Sequence, residues 1–277
     1  MTRAHLLLRP INLRVACMKM SRRKRCLQRF FMCITLNSFL LELDTPVYFE
    51  LINLNDKLTA SVKELAHNLG ADLVGVAQAD SFVKAPKGYH PEDLLQGAQS
   101  VIVMAMHLLD ASFESAPSRE YAITYYVANQ ELDRIAFHVS KFLQNEGYRA
   151  LQVPASPPYD WNCNMGDLSH RHAGQLAGIG VFGKNSLLLS TKFGSRMRLV
   201  SVITDASLKP DKPLSLDLCK DCDKCLRACP VGALKGERIV DKTKCDTHHV
   251  EVGKKLQLGD LDICGVCIRV CPVGKTS

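Results

Sequence analysis

Cys219-Lys-Asp-Cys222-Asp-Lys-Cys225-Leu-Arg-Ala-Cys229-Pro230 has the C-x2-C-x2-C-x3-C-P spacing of a bacterial ferredoxin run. Three thiolates on a tight loop can face one iron–sulfur cube, while the fourth, set before a proline that stops further helix, points to a neighbouring cluster. A second cysteine set is therefore required. It arrives as Cys264-Gly-Val-Cys267-Ile-Arg-Val-Cys271-Pro272, a half-copy that lacks its first cysteine, with Cys245 upstream as the nearby replacement. By the crossing rule, cluster 1 takes Cys219, Cys222, Cys225 and Cys271, and cluster 2 takes Cys229, Cys245, Cys264 and Cys267. Cys245 serves only if the segment between it and Cys264 folds back, and an Asp or His248 is the alternative ligand. Paired zinc ribbons need neither the third cysteine two residues on nor the trailing C-x3-C-P.

Outward from this module, the 277 residues and 47% hydrophobic content suit one large or two ordinary globular domains. Twelve cysteines in a secreted chain would suggest disulfides, but eight in cluster spacing demand free thiolates and a reducing compartment, so the expected location is cytoplasmic. The net charge of +7 is unevenly placed. Residues 1–41 hold nine Lys and Arg and no acid, which leaves 26 basic against 28 acidic residues in the remainder. The body is not basic, so a broad phosphate-backbone contact would have to rest on the tail or on a local patch.

Ser21-Arg22-Arg23 before the apolar Phe30–Leu41 is similar to a twin-arginine export signal, but Arg25 and Cys26 stand where that signal wants apolar residues. The apolar run is also much shorter than the roughly 20 residues of a membrane-crossing helix, so no stable membrane association is expected. Residues 1–45 are read as a basic, disordered tail or an over-extended start, with Met18, Met20 and Met32 as internal candidates.

Ordered α/β sequence begins near Asn55. A helix with Leu58, Val62, Leu65, Ala66 and Leu69 on one face leads to Gly70, followed by a strand over Ala71–Ala77. His90-Pro91-Glu92-Asp93 opens a short helix, Ser100–Leu108 reads as a buried strand, and Glu120–Leu143 as a long amphipathic helix. Ala150–Val153 is extended, 154–167 is a Pro/Asn-rich loop carrying Trp161 and Cys163, and Leu168–Ala177 is again helical. Ser186–Ser190 and Met197–Thr204 read as a hairpin around Lys192–Ser195. The alternation indicates an α/β (α+β) domain over 46–212, followed by a small two-cluster ferredoxin-like domain over 213–277.

Gly178-Ile-Gly180-Val-Phe-Gly183 fits G-x-G-x-x-G, and Lys184 brings it close to a P-loop. Phosphate-binding glycines follow a strand and open a helix, whereas here a helix precedes and a strand follows, and Asn185 replaces the Ser/Thr. His170 and His172 stand two apart on a helix and do not share a face, so one core-satisfied and one exposed histidine is the favoured reading. Glu131 and Asp133 alone would be a solvated helix face.

Taken together, Ala177-Gly178-Ile-Gly180-Val-Phe-Gly183-Lys184-Asn185-Ser-Leu187-Leu188, then Gly194-Ser195, then the crossing cysteine runs, resemble the epoxyqueuosine reductase family over roughly residues 55–277. That family and the related reductive dehalogenases pair two [4Fe-4S] clusters with a cobalamin in a domain of flavin-reductase-like type. The resemblance implies that Gly178, Gly180, Gly183, Lys184, Asn185, Gly194 and Ser195 contribute to cofactor binding. It also implies an external one-electron donor such as a ferredoxin or flavodoxin, tRNA as a candidate partner, and reductive removal of oxygen from an epoxide with a carboxylic acid as proton donor. The family's proton-donor segment, R-Y-x-x-G-x-D-Y-H-like, matched without gaps from Tyr126, puts Asn129 at the glycine, Glu131 at the aspartate and Asp133 at the histidine. Glu131 is the first candidate for the donor and Asp133 the alternative. The competing readings are a ferredoxin-like electron carrier without corrinoid and a reductive dehalogenase-like enzyme.

Overall fold

The computed structural model describes residues 45–158, 160, 165–259, 261 and 263–275. The basic N-terminal segment to residue 44, and Trp161 and Cys163 of the long loop, lie outside the described residues. Leu54–Ser277 forms one compact unit that holds both the α/β layer and the cysteine module.

In chain order the α/β layer comprises α1 (Thr45–Asn68), β1 (Leu73–Gln78), α2 (Pro91–Leu94), β2 (Ser100–His107), α3 (Asp110–Glu114), α4 (Arg119–Asn145), β3 (Ala150–Val153), α5 (His170–Leu176), β4 (Val181–Phe182), β5 (Leu188–Leu189) and β6 (Met197–Thr204). The module adds α6 (Lys224–Ala228), α7 (Lys242–Leu256) and α8 (Val266–Arg269).

Four strands form one sheet in the order β1-β2-β6-β3, and every neighbouring pair is antiparallel. The two central strands carry apolar side chains on both faces because helices cover both. Ile102 and Met104 of β2, with Val200 and Val202 of β6, meet Val62 and Ala66 of α1 and Leu132, Ile135 and Val139 of α4. The alternate residues Val101, Val103, Leu199 and Ile203 turn to the other face, against Ala173 of α5 and Ile179 and Leu188 beyond it. This is why Ser100–His107 lacks a two-residue polar alternation. The long helix α4 begins at Ser118, whose hydroxyl accepts from the Tyr121 N–H at 3.1 Å and caps the first turn. Its N-terminal half forms a third apolar cluster, in which Tyr121, Ala122 and Ala128 meet Phe113 and Ile263. That cluster joins the α/β layer to the cysteine module.

The expected hairpin of Ser186–Ser190 with Met197–Thr204 is not formed. Leu188–Leu189 pairs with Val181–Phe182, and Met197–Thr204 runs between β2 and β3. The eight residues of β6 have apolar side chains on both faces and backbone groups on both edges. A two-residue strand could not satisfy them, whereas the sheet centre does.

β1 approaches α5 so closely that only glycine fits at position 75. A Cβ there would overlap the carbonyl oxygen of Ala177 and stand 3.1 Å from the Ala177 and Ile179 side chains. Gly75→Ala is expected to destabilise the protein by about 1–3 kcal/mol, the usual cost of overpacking, read as a lower urea midpoint at unchanged m-value.

Candidate functional site

Two groups of cysteines come together in the module, and all eight are free thiols. Asp217 accepts from the Cys219 and Lys220 N–H groups, and the Cys222 N–H donates to the Cys219 carbonyl, which tightens the loop before α6. Cys225 is buried on α6. Burial pushes its thiol up to about 11, and the neighbouring charges that add to the shift are Cys219, Cys271 and Cys222. These four line one cavity together with Asn185 and Leu189 of the α/β layer.

The second group depends on α7. Asp241 caps this helix through the Lys244 N–H at 3.1 Å, Cys245 stands in its first turn, and Gln257 closes it in the left-handed region. The helix and the turn after it form the fold-back that returns the chain to Cys264. Burial raises the Cys245 thiol to about 11, with Cys264 and Cys229 next among the causes. Cys267 is pushed up mainly by burial, then by Cys264, Cys245, Cys225 and Cys229. His248 faces Glu251 at 3.7 Å, and His249 Nε2 is 3.6 Å from the Cys245 sulfur. Four thiolates in one buried group repel one another, so such a donor set suits a polynuclear cationic core. Among the described residues no three Cys, His, Asp or Glu side chains are grouped closely enough to hold a single ion.

The glycine-rich turn packs against the first group. Lys184 donates its backbone N–H to the Cys219 sulfur at 3.4 Å and its ammonium to the Lys220 carbonyl at 2.7 Å. Asn185 is buried, receives the Leu187 N–H on its carbonyl oxygen, and lies 3.5 Å from the Ser195 hydroxyl. Burial pushes the Cys271 thiol up, and hydrogen bonds from the Val273 backbone and the Ser195 side chain oppose that shift. Gly194, at φ 56°, lies so close to Val273 that any Cβ would overlap the Val273 carbonyl. Arg196 donates to the carbonyls of Cys271 at 2.6 Å and Val273 at 2.8 Å. Gly178 packs on the Lys212 backbone, and Gly180 and Gly183 pack on Leu189. The residues nominated for cofactor binding therefore have their contacts in the wall of the first thiol group and in the turn that supports it.

A second polar group sits where α4 meets β6. Arg198 donates to the Asn129 carbonyl oxygen at 2.7 Å and to the Ala155 carbonyl at 3.0 Å, and its guanidinium lies 4.2 Å from the Tyr125 ring centre. Asp133 accepts from the Ala155 N–H at 2.8 Å. Its carboxyl is held above the ordinary range by desolvation, which outweighs the opposing pull of that hydrogen bond and of Arg198. Glu131 is on a different face. Its side chain is 44% exposed and ion-paired with Arg134 at 2.8 Å. Neither Arg196 nor Arg198 was nominated from sequence, although two arginines flanking the start of an apolar strand are a visible signal.

The His170 ring bridges the Ser201 hydroxyl and the Pro154 carbonyl, each at 2.8 Å. A carbonyl can only accept, so Nε2 carries the proton and Nδ1 accepts from Ser201. His172 is exposed, which matches the expected split between the two histidines.

Residues 218–274 match the model of the 4Fe-4S double cluster binding domain. That segment is thus similar to iron–sulfur domains of the two-cluster type. The longer part of the chain is similar to epoxyqueuosine reductases and to reductive dehalogenases. The epoxyqueuosine reductase of Prochlorococcus marinus is 26% identical over 223 residues, covering 69% of this chain and 67% of that protein. The tetrachloroethene reductive dehalogenase of Dehalobacter restrictus is 30% identical over 227 residues, covering 66% of this chain and 39% of that protein. The fold is shared with a crystal structure of epoxyqueuosine reductase bound to a tRNA-Tyr stem loop, at TM-score 0.59 and 24% identity over 79% of this chain and 65% of that one. It is also shared with a catabolic reductive dehalogenase in complex with 3-bromo-4-hydroxybenzoic acid, at TM-score 0.64 and 23% identity over 80% and 32%. The chain therefore spans about two thirds of the epoxyqueuosine reductases and less than two fifths of the dehalogenases.

Burial lowers the His170 imidazole from 6.5 to about 4. The folded state excludes a proton that the unfolded chain binds, so this contribution to stability is complete above pH 6.5 and is lost as pH falls towards about 4. Urea midpoints measured across that window are expected to fall with decreasing pH in the wild type. The slope should be shallower in His170→Gln, by up to the uptake of one proton.

Proposed function

We propose that this chain is a corrinoid-dependent iron–sulfur reductase of the epoxyqueuosine reductase type, working in the cytoplasm. The observation that carries this reading is the contact of the Lys184–Asn185 turn and the Ser195–Arg196 segment with a thiol group drawn from both cysteine runs. An electron carrier needs only the module. Here the α/β layer contributes part of the wall around Cys219 and Cys271. In this reading Cys219, Cys222, Cys225 and Cys271 hold one [4Fe-4S] cluster, and Cys229, Cys245, Cys264 and Cys267 hold the other. The two clusters, when bound, supply one-electron transfer from an external donor such as a ferredoxin or flavodoxin. The cytoplasmic assignment is supported by the eight free thiols.

The corrinoid is supported by the relatives, among which is a reductive dehalogenase whose structure is described with B12-dependent dehalogenation. Gly178, Gly180, Gly183, Lys184, Asn185, Gly194 and Ser195 are the residues proposed to hold it, and their turn packs against the cysteine module and Leu189. The antiparallel sheet covered on both faces supports a flavin-reductase-like type for residues 46–212. Removal of oxygen from an epoxide is the reaction class we favour. A tRNA partner is supported by the tRNA-bound structural neighbour, although the body of this chain lacks the basic surplus of a general nucleic-acid binder.

Between the two carboxylates, Asp133 is better placed to carry a proton. A general acid must retain its proton near the working pH, and Asp133 is the one whose surroundings disfavour the anion. Glu131 faces solvent and pairs with Arg134. Asp133→Asn is expected to abolish turnover without changing iron content, whereas Glu131→Gln should retain activity within a few-fold, as steady-state rates would show.

Anaerobic reconstitution followed by cobalamin titration tests the whole reading. About eight irons per chain and a shift in the corrinoid spectrum are expected. Full iron loading with no spectral change would leave the electron-carrier reading standing in its place.

A further inference from the structure

Arg196 is 2% exposed, yet its compensation is poor. Its guanidinium donates to the carbonyls of Cys271 and Val273, which orient it but carry no net charge. The ion pair described for it is with Asp110, at 3.8 Å, and that carboxylate is 45% exposed and also faces His107 at 3.3 Å. A buried cation without a close counter-charge is costly, so the site calls for an anion. The group beside it is the set of Cys271, Cys219, Cys222 and Cys225, and Arg196 is hydrogen-bonded to the backbone of Cys271 itself.

We infer that Arg196 is a positioning residue that supplies the counter-charge for the first cluster and raises its reduction potential above what the thiolates alone would set. The inference rests on the two-cluster reading above. One-electron reduction, by dithionite in the test below, takes the core from the 2+ to the 1+ state, so the cluster with its thiolates gains one negative charge. No bond forms or breaks and no proton moves. A fixed positive charge in a site that excludes water stabilises the reduced form more than the oxidised one. Among the described residues no other arginine or lysine is buried, so the second group has no equivalent. Arg196 also ties the segment Cys271–Val273 to the start of β6, so the same side chain fixes where the first cluster stands against the sheet.

The experiment is EPR-monitored potentiometry on the full chain, anaerobically reconstituted, as wild type, Arg196→Gln and Arg196→Lys. In Arg196→Gln one of the two couples should fall by at least tenfold in its reduction equilibrium, about 59 mV for one electron, with the other unmoved. Arg196→Lys keeps the charge and should restore most of the shift. Unmoved couples in an Arg196→Gln protein of full iron content overturn the inference, as does Arg196→Lys shifting as far as Arg196→Gln. If Arg196→Gln does not load iron, Asp110→Asn decides. Removal of the opposing carboxylate should raise one couple, and an unchanged or lowered couple rejects the role of Arg196. Failure of the two-cluster reading itself shows earlier and separately, as a wild-type iron count well below about eight.

Discussion

Cys271 lies with Cys219, Cys222 and Cys225, a partner set from the other end of the module, and not with the two cysteines that precede it in its own run. The chain reaches this crossing only by reversing direction between residues 230 and 264. The reversal is built from α7, capped by Asp241 and closed by a left-handed Gln257. The crossing makes the two thiol groups mutually dependent, since each contains a cysteine from the opposite run. Burial then makes a bare thiolate group costly, as the raised thiols of Cys225 and Cys245 show. A core that neutralises the thiolates is therefore part of what holds the module together.

The same constraint reaches into the α/β layer. Lys184 lies in the turn of the short Val181–Leu189 ladder and Ser195 and Arg196 follow that ladder, and they converge on Cys219 and Cys271. On the other side of the module, Tyr121 at the start of α4 packs in the apolar cluster that includes Ile263 and meets the backbone of Gly265. Tyr121 is edge-on to Tyr125, over which Arg198 lies. Contacts thus lead from the module through Tyr121 and Tyr125 towards the polar group around Asn129, Asp133 and Arg198. A module docked at two places on a layer with its own polar site is the arrangement expected of a reductase, in which electrons must arrive at one fixed place.

Much of this was legible in the sequence because the signals were local. Cysteine spacing marks the segment that matches a double cluster binding domain, and the apolar periods of Leu58–Leu69 and Glu120–Leu143 mark the two large helices. What was not legible depended on distant partners. Met197–Thr204 reads as half of a hairpin until β2 and β3 are seen on its two edges. The contact of Lys184 with Cys219 joins residues 35 positions apart and leaves no local signal. Glu131 and Asp133, two residues apart on one helix, look alike in sequence. Only their neighbours separate them, Arg134 with solvent for one and the Ala155 backbone with Arg198 for the other.

The central claim is the crossing of the two runs, and iron counting on paired cysteine variants tests it directly. Cys219→Ala combined with Cys271→Ala removes two ligands from one cluster, so about four irons should remain per chain. Cys264→Ala combined with Cys271→Ala strikes both clusters and should leave close to none. If the second pair retains about four irons and the first retains none, each run closes its own cluster and the account is wrong.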